Sequence, residues 1–250
     1  MPRVRTGPII GLIFQTVVLA ALAAGAGLGT TGWLVGIACG TATFGALLHG
    51  LHRTGAGGLG PANGVTLLRA GLVGGVAALV ADSFTRTTPV AVLCALTAVA
   101  LALDAVDGPV ARRTGTVTEL GARFDMETDA FLILVLSVYV AHSMGPWVLA
   151  IGAMRYVIGA AAWLVPWLRG DVPPRYWRKV VAAMQGITLA VAASGLLPLP
   201  LAATVVAISL LFLVESFGSQ VLWLSRRESV PAVRMQPVRM HPAEAVAVSP

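Results

Sequence analysis

Apolar residues follow one another in eight long runs, and short polar, glycine-rich or proline-containing segments separate them. A helix that crosses a membrane needs about 20 mostly apolar residues, and each run is close to that length. The runs are residues 8–28, 31–51, 63–81, 89–106, 121–142, 147–168, 180–197 and 201–224. The pattern therefore predicts an all-α fold, a polytopic membrane helix bundle.

Composition supports the same class of protein. Hydrophobic residues make up 57% of the 250 residues and charged residues only 11%, and the mean hydropathy is +0.84. Soluble domains are much less apolar. The two cysteines, Cys39 and Cys94, lie in apolar runs without the spacing of a metal motif or a disulfide scaffold. The first run also resembles a signal peptide, but it is longer than a usual signal core, so we expect it to remain uncleaved.

The net charge of +6 is explained by membrane topology rather than by nucleic-acid binding. With the N-terminus in the cytoplasm and the runs alternating in direction, the far side receives Arg86 alone. This is the positive-inside distribution of a membrane protein. The basic residues on the cytoplasmic side are Arg3, Arg5, Arg53, Arg112, Arg113, those of the loop 169–179, Arg226 and Arg227. We expect a multi-pass protein of the cell membrane with no nucleic-acid partner.

Acidic residues concentrate where the fourth and fifth runs meet. Six of the eleven acidic residues lie between positions 104 and 129. Asp104 and Asp107 have i, i+3 spacing, and Asp125 and Asp129 have i, i+4 spacing, so each pair lies on one helix face. If the two helices pack side by side, four carboxylates converge at the cytoplasmic face, where their repulsion calls for divalent cations. Carboxylate oxygens suit Mg²⁺ or Mn²⁺, and the stretch has no Cys or His for other metals.

This acidic stretch resembles the signature of the CDP-alcohol phosphatidyltransferase family, which reads D-x2-D-G-x2-A-R-x8-G-x3-D-x3-D. Its fixed positions are filled here by Asp104, Asp107, Gly108, Ala111, Arg112, Gly121, Asp125 and Asp129. Upstream, Asn63, Thr66 and Arg69 resemble the N-x-x-T-x-x-R element that opens the first core helix of the family. Pro109 occupies a free position, where it is expected to kink the helix.

The resemblance also implies a domain plan. The family core has six helices, which predicts a core at 61–225 made of the third to eighth runs. An N-terminal transmembrane hairpin at 1–53 would precede it, and a disordered cytoplasmic tail at 226–250 would follow. The resemblance further implies a homodimer.

A reaction and a set of roles follow from the same resemblance. A CDP-alcohol, expected to be CDP-diacylglycerol, would donate a phosphatidyl group to a small alcohol with release of CMP, in phospholipid biosynthesis among membrane lipids. Asp104, Asp107 and Asp125 would bind two metal ions, and Asp129 would be the general base and would also touch the second metal. The residues of the CDP pocket would be Asn63, Thr66, Arg69, Gly108, Ala111, Arg112 and Gly121.

Three questions stay open at this stage. Arg155 lies inside the sixth run, where it either contacts an anionic acceptor or reaches the interface or Glu215. Glu119 and Glu127 fall at free positions: Glu119 is expected to be a loop charge, and Glu127 either adds negative field near the metals or, as we favour, faces water. The Asp cluster could also be the ion site of a divalent-cation transporter, although that function favours carboxylates near the bilayer midplane. The pattern does not distinguish glycerol 3-phosphate, an inositol phosphate, serine or another alcohol as acceptor.

Overall fold

The protein is described here by a computed structural model that covers residues 6–54, 61–114, 118–170 and 176–228, with side chains at 7–53, 64–105, 118–170 and 177–226. These residues form helices and contain no strand, so the all-α prediction is confirmed. Short 3₁₀ helices at Pro146–Val148 and Pro166–Arg169 flank the sixth helix. The eight long helices are α1 (Thr6–Ala26), α2 (Thr30–Thr54), α3 (Pro61–Asp82), α4 (Val90–Thr114), α5 (Glu119–Met144), α6 (Leu149–Leu164), α7 (Tyr176–Ser194) and α8 (Leu199–Glu228).

Several helices are long and apolar enough to cross a membrane, as expected of a multi-pass membrane protein. By length and composition, the described part of the chain has five such segments, and Val90–Ala105 is a shorter apolar one. α5 and α7 are not among the five, since α5 carries acidic residues in its first half and α7 carries Arg178 and Lys179 in its first turn. The five segments are Gly7–Ala26, Thr30–Arg53, Gly64–Asp82, Pro146–Leu164 and Leu199–Arg226.

Helix boundaries differ from the apolar runs in four places. The residues between the runs 89–106 and 121–142 include a polar connection predicted at 112–119, which is shorter in the structure because α4 continues to Thr114 and α5 begins at Glu119. The run 147–168 is interrupted at Val165, since Pro166 disfavours helical backbone in the residue before it. The basic loop predicted at 169–179 is shorter, because α7 begins at Tyr176. α8 continues into the predicted tail as far as Glu228, and residues 229–250 lie outside the described residues.

The centre of the bundle is α3. It contacts α1, α2, α4 and α5, and every residue from Gly71 to Val80 is buried. This stretch consists of small and aliphatic residues without a polar face, as expected of a helix surrounded by other helices. Small residues allow the neighbouring backbones to approach closely, which is how membrane helices gain packing energy.

The first two helices pack on the core through polar contacts as well as apolar ones. The Asp82 carboxylate, at the end of α3, lies at the start of α2 and accepts hydrogen bonds from Gly29 N (2.7 Å), Thr31 Oγ1 (2.8 Å) and Gly32 N (3.4 Å). Asp82 thus caps a helix to which it does not belong, satisfying N–H groups that the helix itself leaves unbonded. The hairpin of α1 and α2 is therefore tied to α3 at the end of α3.

A second polar contact lies halfway along the hairpin. Gln15 of α1 is buried and donates from Nε2 to the carbonyl of Gly36 in α2 (3.3 Å). Its amide occupies space left by Gly74 of α3, where a Cβ would lie 2.2 Å from Gln15 Nε2. A buried amide is costly unless it is hydrogen-bonded, so this contact fixes the register of three helices.

A close contact between α5 and α6 fixes the other side of the core. A Cβ on Gly152 of α6 would lie 2.5 Å from the backbone Cα of Leu134 in α5. The chain reaches this position through Gly145, whose φ of +97° is in the region that favours glycine. Gly145 and Pro146 thus end α5 as the sequence predicts.

Candidate active site

Arg69 of α3 lies among three carboxylates from two other helices. Its Nη1 is 3.0 Å from Asp104 Oδ1 of α4, and its guanidinium also forms ion pairs with Asp125 and Asp129 of α5. Each of the three aspartates offers one oxygen, and these oxygens lie within 4.8 Å of one another. We call Asp104, Asp125 and Asp129 the carboxylate cluster.

The helix order explains this convergence. The chain enters α3 and α5 and leaves α4 at the same end of the bundle, so the start of α3 and of α5 lies beside the end of α4. Asp125 and Asp129 share a face of α5 because their spacing is close to one helical turn. The start of α5 is fixed by Thr118, whose Oγ1 accepts a hydrogen bond from Gly121 N (3.0 Å). Such a cap removes one unbonded N–H group from the first turn.

Exposure differs sharply between the arginine and its partners. The Arg69 side chain is only 1% exposed, whereas those of Asp104, Asp125 and Asp129 are 34–38% exposed. The carboxylates thus face a surface that ligands can reach, and the arginine closes the cluster from the protein interior. Three negative charges and one positive charge leave the described group anionic, which favours binding of a cation.

The carboxylate pairs expected from the sequence are found together as far as they are described. Asp104, Asp125 and Asp129 converge, whereas the side chain of Asp107 lies outside the described residues. Gly108, Ala111 and Arg112 belong to the last turns of α4, but their side-chain positions, like that of Asn63, are also outside the described residues. The kink expected at Pro109 stays a prediction.

Two further residues of the expected CDP pocket lie next to the cluster along their helices. Thr66 is buried and precedes Arg69 by three positions on α3, and Gly121 is buried and precedes Asp125 by four on α5. At these spacings each lies on the same helix face as the charged residue that follows it. Gly121 leaves the backbone accessible to close approach on that face.

Arg155 does not pair with Glu215, which excludes one of the alternatives that the sequence left open. Arg155 forms an ion pair with Glu127 of α5, and its Nη1 lies 3.0 Å from Met126 Sδ. Glu215 instead accepts a hydrogen bond from Trp177 Nε1 (2.9 Å). Glu127 does face the surface as expected, with 57% of its side chain exposed, but it is also the partner of Arg155.

The Arg155–Glu127 pair lies at the same height as the carboxylate cluster, on another side of α5. Glu127 is two residues from both Asp125 and Asp129, which corresponds to about 3 Å along the helix axis and a rotation of about 200°. Glu119, the other acid at a free position, begins α5 and forms an exposed ion pair with Arg123 (2.7 Å).

The central position of Arg69 was missed by the sequence reasoning, which placed it in a nucleotide pocket by resemblance alone. A signal was available, because Arg69 is the one charged residue in the apolar stretch 64–81. A charge within a membrane-spanning segment is costly and usually has a partner. The four aspartates 35–60 positions downstream were the obvious partners.

Comparison with known proteins gives one match. The family model described as CDP-alcohol phosphatidyltransferase matches residues 60–227, which is more than half of the chain. The match begins just before α3 and ends within α8, so it includes the carboxylate cluster and leaves out α1 and α2. Neither a curated protein nor a solved structure matches the chain.

Proposed function

The chain belongs to the CDP-alcohol phosphatidyltransferase family, and from this premise we propose that it moves a phosphatidyl group from CDP-diacylglycerol to a small alcohol in phospholipid biosynthesis. Members of this family are transferases that act on a CDP-alcohol and an alcohol acceptor and use divalent metal ions. The observation that carries the proposal is the convergence of Asp104, Asp125 and Asp129 at one end of an apolar helix bundle.

The carboxylate cluster fits a hard divalent cation. Its donors are carboxylate oxygens, which Mg²⁺ and Mn²⁺ prefer, and its net charge is negative even with Arg69 included. We propose that Asp104 and Asp125 hold metal, that Asp107 completes the ligand set, and that Asp129 touches a second ion. Bound divalent ions would neutralise the pyrophosphate of the donor as charge develops on it.

The proton transfer that accompanies attack on the phosphorus requires a side chain. We propose that Asp129 accepts the proton of the acceptor hydroxyl, whose oxygen bonds to the phosphorus nearer the lipid. The bond from that phosphorus to the CMP oxygen breaks, and CMP leaves with the electron pair. Asp129 is suited to this role because its carboxylate belongs to the cluster and is partly exposed, so that an acceptor hydroxyl could approach to hydrogen-bond distance, as a general base requires.

The donor would be held by residues around the cluster. Thr66 and Gly121 flank it on α3 and α5, and we propose that Asn63, Gly108, Ala111 and Arg112 complete the CDP pocket. A guanidinium such as that of Arg112 suits phosphate recognition.

The position of the cluster within α4 fits a lipid donor. Asp104 lies near the end of the apolar run 89–106, and α4 continues for ten residues beyond Asp104, about 15 Å. A site at this depth lets the acyl chains stay in the bilayer while CDP and a polar acceptor arrive from water. The excess of Arg and Lys at this end favours the cytoplasmic face. A homodimer stays a prediction.

The proposal is tested by CMP release from the purified protein in detergent. The donor is CDP-diacylglycerol, the metal is Mg²⁺ or Mn²⁺, and glycerol 3-phosphate, an inositol phosphate and serine are supplied one at a time. Metal-dependent CMP release with one acceptor is expected, and the lipid product identifies the acceptor. Absence of CMP release from a folded, metal-binding protein contradicts the proposed donor. If Mn²⁺ instead crosses the membrane of liposomes that contain the protein, a transporter replaces the enzyme.

Arg155 remains our proposed contact for an anionic acceptor. Its side chain is 35% exposed, and its acidic partner among the described residues, Glu127, is more exposed still, so an anion can compete for the guanidinium. In Arg155→Gln the KM for the acceptor is expected to rise about tenfold, the equivalent of about 1.4 kcal/mol, with kcat little changed. Glu127→Gln is the matched control, because it removes the same ion pair and keeps the cation. An equal rise of KM in both variants would mean that the ion pair only holds α5 and α6 in position and that Arg155 does not contact the acceptor.

A further inference from the structure

Arg69 is the most deeply buried charged side chain of the described residues. It is 1% exposed, and its guanidinium contacts carboxylates from α4 and α5 while its backbone belongs to α3. Leu67, two residues earlier, is buried against Gly11 of α1, so the hairpin covers this turn of α3 from the other side. Among the described residues, Arg69 thus lies between a turn of α3 that α1 covers and the carboxylates of α4 and α5.

A guanidinium can be buried in this way only if other interactions replace its contacts with water. Removing a guanidinium from water costs several kcal/mol, and the cost is offset only when hydrogen bonds and opposite charges replace the lost water. The carboxylates have the converse problem, since three of them within a few ångströms repel one another. Arg69 and the cluster thus stabilise each other.

The guanidinium and a metal ion would require the same oxygens. Arg69 contacts Oδ1 of Asp104, Oδ1 of Asp125 and Oδ1 of Asp129. Oxygens on opposite sides of an octahedral Mg²⁺ ion are about 4.2 Å apart, since each bond is about 2.1 Å. The cluster offers oxygens within 4.8 Å of one another, which is the spacing of a single coordination sphere. A guanidinium and a divalent ion that contact the same oxygens would repel each other strongly.

We propose that Arg69 is an internal counter-ion of the carboxylate cluster that competes with the divalent cation for its oxygens. The proposal rests on the metal-dependent function proposed above and adds a role for a residue of α3. Arg69 holds α3, α4 and α5 together while metal is absent and lowers the affinity of the cluster for metal. Metal binding then requires the guanidinium to give up at least one of its contacts with Asp104, Asp125 and Asp129.

The test compares metal binding by wild type and Arg69→Met in detergent, without donor or acceptor. Methionine has nearly the length of arginine but no charge. Mn²⁺ affinity is read from the electron paramagnetic resonance signal of free Mn²⁺, and thermal unfolding is followed with chelator and with Mn²⁺. We expect Arg69→Met to unfold at a lower temperature in chelator but to bind Mn²⁺ about tenfold more tightly, a change of about 1.4 kcal/mol. Unchanged or weaker Mn²⁺ binding by the folded variant overturns the proposal, because a merely structural arginine would position the ligands and not compete.

Two further variants complete the design. Arg123→Met removes an exposed positive charge two residues before Asp125 and is expected to leave Mn²⁺ affinity within about twofold of wild type, because exposed charges are screened. If Arg69→Met does not fold, Arg69→Lys serves instead, since one ammonium group cannot satisfy three carboxylates. Its Mn²⁺ affinity is expected to exceed that of wild type, and equal or lower affinity contradicts the proposal. The transferase assay is independent of this test. CMP release can be absent while Arg69 still competes with Mn²⁺, and CMP release can be present although Arg69 does not compete.

Discussion

Replacing Asp129 by Asn is expected to lower kcat for CMP release by a factor on the order of 10²–10⁴, the usual contribution of a positioned general base. Asn has the shape of Asp and can still accept a hydrogen bond from Arg69, so the helices should remain in place. It cannot take the proton of the acceptor hydroxyl, and it removes one negative charge from the cluster. The measurement is the rate of CMP release at saturating donor, acceptor and Mg²⁺.

Two controls separate the base from the metal site. Asp104→Asn removes a cluster carboxylate on α4 that has no proposed proton-transfer role, and its activity should recover in part at high metal concentration, whereas that of Asp129→Asn should not. Glu119→Gln changes an exposed acid at the start of the same helix and should leave kcat unchanged. Wild-type activity in Asp129→Asn would show that another group accepts the proton.

Replacing Gly152 by Val is expected to be the most disruptive apolar substitution on α6. Even the first carbon of the side chain would lie 2.5 Å from Leu134 Cα and 3.1 Å from Ser137 Oγ. The first of these atoms is backbone, so α6 must move away from α5. Overpacking of this kind typically costs about 1–3 kcal/mol, and the Arg155–Glu127 contact across the same two helices should be lost with it.

Gly159 provides a matched control on the same helix. A Cβ at Gly159 would meet nothing within 4 Å, so Gly159→Val tests the effect of a β-branched residue in α6 without the clash. Thermal unfolding in detergent should show a clear drop in midpoint for Gly152→Val and little change for Gly159→Val. Equal midpoints would mean that α5 and α6 can separate at no cost, and the close contact would then not be a determinant of the fold.

The sequence predicts the helices of this fold well because hydropathy and membrane thickness set their number. It predicts their ends less well, since an apolar run marks where the membrane ends and not where the helix does. Arg178 and Lys179 illustrate this difference: their charges were taken as a loop, yet they lie in the first turn of α7. Val165 shows the opposite case, in which an apolar run continues although Pro166 ends the helix.

In the candidate site, the sequence predicts what depends on one helix and does not predict which helices are neighbours. The shared face of Asp125 and Asp129 is a property of one helix, so spacing alone predicts it. The contact of Arg69 with them joins residues about 60 positions apart, and no local pattern specifies which helices are neighbours. The pairing of Arg155 with Glu127 rather than Glu215 has the same cause, because both acids are within plausible reach until the packing of α5 and α6 is known.

The position of Arg69 in the chain has a consequence for how the protein is made. During synthesis α3 enters the membrane before α4 and α5 exist, so its guanidinium arrives before any of the three aspartates that neutralise it. An unpaired arginine in a spanning helix is unfavourable by about 2.5–3.5 kcal/mol or more. The partners already present are α1 and α2, with Gln15 facing the glycines of α3 and the open end of α2 ready for Asp82. We therefore expect the hairpin to be the first docking surface for α3 and to hold it in the bilayer until the carboxylates of α4 and α5 are inserted beside Arg69.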